Sequence, residues 1–71
     1  MTMTATVRQV RQGSLLVRDH QIRQEVVVNT RIARRFRPGD RVLIIYNGVM
    51  TKSLPPQITA QRIVRLPFCN C

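Results

Sequence analysis

In TATVRQVR, residues 4–11, apolar and polar side chains alternate through Ala5 and Val7 and then change parity, so that Val10 takes the place the pattern reserves for Gln9. Side chains of a strand point alternately to its two faces, and a one-residue slip sends every later side chain to the wrong side. One extra residue restores the phase and bends the strand. The pattern therefore predicts a β-bulge near Arg8 or Gln9. The same slip recurs in QITAQRIVRL, residues 57–66, where the apolar set passes from Ile58 and Ala60 to Ile63. Two such slips describe a sheet that turns corners and curls.

Three further segments share the β pattern. SLLVRD (14–19) and IRQEVVVN (22–29) read as a hairpin around the polar break Asp19-His20-Gln21, with Leu15, Val17, Val26 and Val28 facing inward. RVLIIYN (41–47) is apolar on both faces and reads as the most buried strand. Gly13 marks the first turn. Between strands three and four, NTRIARRF shifts to a spacing of four, with Ile32 and Phe36 on one side and Arg31, Arg34 and Arg35 on the other. With Asn29 or Thr30 as its cap, this predicts a short amphipathic helix over about 30–36. Pro38 and Gly39 then supply the fixed φ and the positive φ that a type II turn requires, which ends the helix.

A chain of 71 residues removes only about 60% of its unfolded surface from water, so a single small core is all it can build. Three strands, a short helix and two more strands, with a long bent first strand able to pair on both sides, is the order of a five-stranded Greek-key barrel of the OB type. The expected class is all-β, one domain over 1–71, with residues 67–71 as a disordered tail. An SH3-like barrel is the runner-up.

FRPGDRVLIIYNGVMTKSLPPQITAQRI resembles the uncharacterised bacterial OB-fold domains related to YobA. The resemblance rests on a glycine-aspartate turn (Gly39, Asp40), an apolar strand ending in Tyr46, then Gly48, Ser53, Pro55 or Pro56, Gln57 and Ala60, and it covers roughly the second half of the chain. It implies the barrel and no established activity. Exported lipoprotein members carry a signal and a lipidated cysteine that have no counterpart here. The expected compartment is the cytoplasm, with an exported domain whose signal has been removed as the alternative.

Charge narrows the partners. Twelve cations against three acids give a net charge of +9, and every cation but Lys52 is arginine. A field of that sign on so small a body attracts polyanions, nucleic acid among them, although exposed arginines also keep strand faces soluble. Arg31, Arg34, Arg35 and Lys52 are the candidate polyanion contacts. The connection 47–56 supplies the other candidate surface. Asn47-Gly48 permits a sharp turn, the two prolines stiffen the return path, and Met50 and Leu54 are expected to cover an end of the barrel. Gly48, Ser53, Pro55, Pro56 and Gln57 form this candidate interaction loop.

The residues assemble no catalytic set, because Asp19 and Asp40 belong to turns, Glu25 stands alone in a strand, and His20 has no orienting acid. Cys69 and Cys71, two apart, neither staple the fold nor complete a zinc site with His20. No cofactor or metal is expected, and no segment is apolar enough to span a membrane. The expectation is a non-catalytic binding module with a protein-interaction or structural role, or alternatively one that binds single-stranded DNA or RNA weakly and without sequence preference.

Overall fold

The computed structural model describes residues 1–66. Five strands, β1 (Thr2–Arg11), β2 (Ser14–Asp19), β3 (Glu25–Asn29), β4 (Arg41–Tyr46) and β5 (Gln57–Arg65), close into a barrel in the order β1-β2-β3-β5-β4. Four of the pairings are antiparallel, and β3 with β5 is parallel over Val27–Asn29 and Gln57–Thr59. That parallel seam and the β3–β4 crossover make the barrel OB-like and set it apart from the SH3-like alternative.

The phase slip in β1 is a bulge. The register with β2 jumps between Val7 and Gln9, leaving Arg8 as the extra residue. Val7 and Val10 thereby both turn toward the interior, Val7 fully and Val10 at the margin of the core. The bend also lets Ala5 and Thr6 pair with β2 on one side and β4 on the other, which is how the barrel closes on its first strand. In β5 the pairing with β4 skips Gln61 between Ala60 and Arg62, so Ile58 and Ile63 both remain in the core.

Leu15, Val17, Val26, Val28, Val42 and Ile44 have no accessible surface and form the barrel's centre. Each such side chain contributes about 1.5–3 kcal/mol through burial. Outward-facing Leu43 and Ile45 are only half-buried, so β4 is the apolar strand expected but its second face meets solvent in part.

The β3–β4 connection differs from the expected helix. In place of an amphipathic α-helix over 30–36, the chain makes a single 3₁₀ turn, Ala33–Arg35. No side chain caps its first residue, no acid sits in its first turn, and Arg34 and Arg35 are adjacent like charges. Pro38 follows too soon for a second turn to form. The apolar spacing has another cause: Ala33 and Phe36 insert into the core, and Ile32 packs against it. The Arg37–Asp40 turn forms as expected, with Asp40 N–H donating to the Arg37 carbonyl (3.0 Å) and Gly39 at φ +96°.

The hairpin between β2 and β3 is also wider than its sequence suggests. Strand β3 begins at Glu25 rather than Ile22, and Ile22 is 52% exposed in the turn. Asp19 holds that turn: its Oδ1 accepts the Gln21 N–H (2.8 Å) and its carbonyl accepts the Arg23 N–H (2.9 Å). The expected tail, with Cys69 and Cys71, lies outside the described residues.

Candidate functional site

Nine of the eleven arginines line three clefts on the barrel surface. The first, about 510 Å³, runs between the β1–β2 turn, the end of β3 and β5, with Arg31 and Arg62 at its sides and no acid in its wall. The second, about 400 Å³, gathers Arg34, Arg35, Arg37 and Arg65 around Asp40. The third, about 410 Å³, holds Arg18, His20, Arg23 and Arg41 beside Asp19.

The 3₁₀ turn therefore separates the expected cationic cluster. Arg31 belongs to the first cleft, whereas Arg34 and Arg35 belong to the second. Strand β5 supplies the partners that the sequence pattern does not reveal, since Arg62 and Arg65, three residues apart, line the first and the second in turn. Lys52 is exposed in the β4–β5 connection and lines none of the three.

The acids beside these surfaces are already engaged, in part by their own turns. Asp40 Oδ2 accepts the Arg37 N–H at 2.9 Å and pairs with Arg65 at 3.3 Å. Arg65 also donates to the Arg35 carbonyl and lies over the Phe36 ring. With one carboxylate among four guanidiniums, the second cleft keeps a strong positive field. Asp19 is 7% exposed and occupied by its own turn, and Glu25 stands opposite Arg18 on β3.

OB-folds commonly meet ligands on the outer face of β2 and β3. Here that face centres on the half-buried pair Leu16 and Val27; the first and second clefts lie around the 3₁₀ turn and β5, whereas the third reaches the end of this face at Arg18. Stacking platforms are absent among the described residues: Phe36 and Tyr46 are each 6% exposed. Among the same residues no three of His, Cys, Asp and Glu gather to hold a metal ion.

The β4–β5 connection braces itself. Thr51 N–H donates to the Gln57 carbonyl (3.0 Å), Gln57 N–H to Thr51 Oγ1 (2.9 Å), and Ser53 Oγ to the Pro55 carbonyl (3.0 Å). Pro56 is buried, and its carbonyl accepts the Val27 N–H (2.9 Å), extending the ladder that Gln57 begins. Gly48, at φ +91°, follows Asn47, whose side chain accepts the Val49 N–H (2.9 Å). Met50 packs against the core as expected. Leu54 does not: at 89% exposed it covers nothing, because Pro56 takes the buried place two residues later.

Barrel topology and arginine distribution together define a small basic OB-like module. No protein-family model, curated protein or solved structure matches the chain.

Proposed function

We propose that the chain is a non-catalytic binding module that holds the phosphate backbone of single-stranded nucleic acid without reading its sequence. One observation carries this reading: Arg34, Arg35, Arg37 and Arg65 converge on a depression whose single carboxylate is already bound to its own turn and to Arg65. Arginine suits the role because its planar fork pairs with two phosphate oxygens at once. Arg31 and Arg62, in a cleft without acids, extend the contact along β5. With Phe36 and Tyr46 buried, bases find no stacking platform among the described residues, so affinity there comes from counterion release and depends steeply on salt. This reading goes with a cytoplasmic location. The resemblance to YobA-like domains supports the barrel and adds no ligand.

The test is a fluorescence titration of labelled single-stranded DNA and RNA at two salt concentrations. Similar binding of both, lost as salt rises, supports the reading. Absence of binding even at low salt removes it.

A second reading, docking of another protein on the β4–β5 connection, is favoured by Leu54 and Val49, 89% and 65% exposed on a braced loop. Light scattering, then affinity capture with the loop intact and with Pro55 and Pro56 replaced, tests it. Recovery of the same proteins by both forms argues against it.

A further inference from the structure

We propose that the third cleft, lined by Arg18, Asp19, His20, Arg23 and Arg41 and bordered by Thr6 through its hydrogen bond to His20, is a binding site for a phosphate monoester. Its basis is the one segment of β1 that is paired on both sides. Thr6 stands directly opposite Arg18 on β2 and directly opposite Arg41 on β4. Neighbours in such a row have Cβ atoms about 5 Å apart, so two guanidinium stems flank one hydroxyl at a distance that a tetrahedral oxyanion bridges.

The β2–β3 turn is folded onto the same row. His20 N–H donates to the Thr4 carbonyl (3.0 Å), and its ring Nε2 shares a 2.6 Å hydrogen bond with Thr6 Oγ1. Imidazole and hydroxyl are thereby held together beside the arginines. Arg23 adds the most informative feature. It has φ +56°, the only positive φ among the described non-glycine residues, in a turn position that glycine occupies without strain. A strained conformation at a charged residue points to a role for that side chain, and Arg23 lines this cleft.

The chemistry of the walls selects the ligand. Three guanidiniums share the lining with one carboxylate, Asp19, whose Oδ1 accepts the Gln21 N–H, while Glu25 stands opposite Arg18 in the β2–β3 register. A monoester carries close to two negative charges at neutral pH and three free oxygens, enough to engage two arginine forks and a hydroxyl together. An internal phosphodiester, with one charge and two free oxygens, satisfies fewer of these donors. At about 410 Å³ the cleft also leaves space for the group that bears the phosphate. That group is either the terminus of a nucleic-acid strand or a free mononucleotide. None of these residues lines the clefts on which the backbone-binding reading rests, so the two stand or fall separately.

The experiment follows backbone amide shifts of the whole chain by NMR at low salt. The titrants are inorganic phosphate, a 5′-mononucleotide, and two oligonucleotides that differ only in a 5′-phosphate. Phosphate and the mononucleotide should shift Thr6, His20 and Arg23 saturably. If the strand terminus is the source, the phosphorylated oligonucleotide binds about tenfold more tightly than its hydroxyl counterpart. Equal binding of the two with saturable mononucleotide binding assigns the site to the small molecule. Arg18→Gln combined with Arg41→Gln should abolish the phosphate shifts, and so should Arg23→Gly, a variant whose backbone fits the turn better than the parent's. Absence of saturable shifts with both phosphate and mononucleotide overturns the proposal, as do variants that titrate like the parent.

Discussion

The Arg65 guanidinium carbon lies 5.4 Å from the centre of the Phe36 ring, while a nitrogen of the same group pairs with Asp40 at 3.3 Å. One side chain from the end of β5 thus covers the aromatic that plugs the barrel and ties down the turn before β4. Its parts are individually modest: a cation–π contact of about 0.5–1 kcal/mol and a half-exposed ion pair of about 0–1 kcal/mol. Arg65→Ala should cost about 1–2 kcal/mol in urea unfolding, and Arg65→Lys should recover only part of it, because an ammonium cannot serve the carbonyl and the carboxylate as a fork does. Equal stability of Lys and Arg would show that only net charge matters at this position.

Removing Arg8 altogether should be far worse than replacing it. Arg8→Ala leaves the bulge intact and should lie within about 0.5 kcal/mol of the parent. Deleting the residue restores plain alternation from Val7 to Val10 but removes the bend that lets β1 reach both β2 and β4. A domain of this size has only about 4–11 kcal/mol of stability in total, so loss of closure should leave the chain largely unfolded by circular dichroism.

Gly39 and Gly48 separate conformational strain from crowding. Both have positive φ, at +96° and +91°, but only at Gly48 would an added Cβ meet an atom, Met1 Sδ at 2.9 Å. That sulfur lies toward the end of a flexible, largely exposed side chain that moves aside readily. Alanine should therefore cost about 1–2 kcal/mol at either position, from backbone strain alone. Asparagine should cost less at both. A markedly larger loss at Gly48, read as a difference in denaturant midpoint, would show that Met1 cannot yield.

Arg23→Gly tests strain in the opposite direction. Relief at φ +56° outweighs the added freedom of the unfolded chain, so thermal stability should rise by roughly 0.5 kcal/mol, or about 2–4 °C for a domain of this size. A fall in melting temperature would mean that the Arg23 side chain contributes more to the fold than its conformation costs.

Backbone binding should respond to arginine clusters in proportion to the phosphates they neutralise. Replacing Arg34 and Arg37 with glutamine should flatten the plot of log affinity against log salt by about 1.4, near 0.7 for each phosphate left unneutralised on a single strand. Lys52→Gln, remote from the clefts, should leave the slope nearly unchanged.

Much of this architecture is written in local pattern. The parity changes at Val7–Val10 and Ala60–Ile63 become bulges because a closed barrel has no other way to keep both halves of a strand facing inward. Pro38-Gly39 becomes the expected turn because few sequences meet its dihedral demands so directly. The segment 30–36 reads as a helix because Ile32 and Phe36 share a side in any compact connection that enters the barrel, and a four-residue spacing does not distinguish one 3₁₀ turn from two helical ones. Ile22 reads as strand because apolar character, not burial, is what a sequence displays. The candidate sites are less legible still. Arg65 approaches Arg35 across 30 residues, and Thr6 meets Arg18 and Arg41 only through strand register. Such convergence is a property of topology, invisible to any window along the chain.

The seam between β3 and β5 joins residues that lie about thirty positions apart, and β5 is the last strand of the barrel. A polypeptide leaving the ribosome can assemble the first three strands as neighbours, yet it has nothing with which to seal them until β5 has been translated. Up to that moment the aliphatic lining stays open to water and to other nascent chains, so maturation of the barrel waits on the fifth strand and its pace is set by the meeting of distant segments.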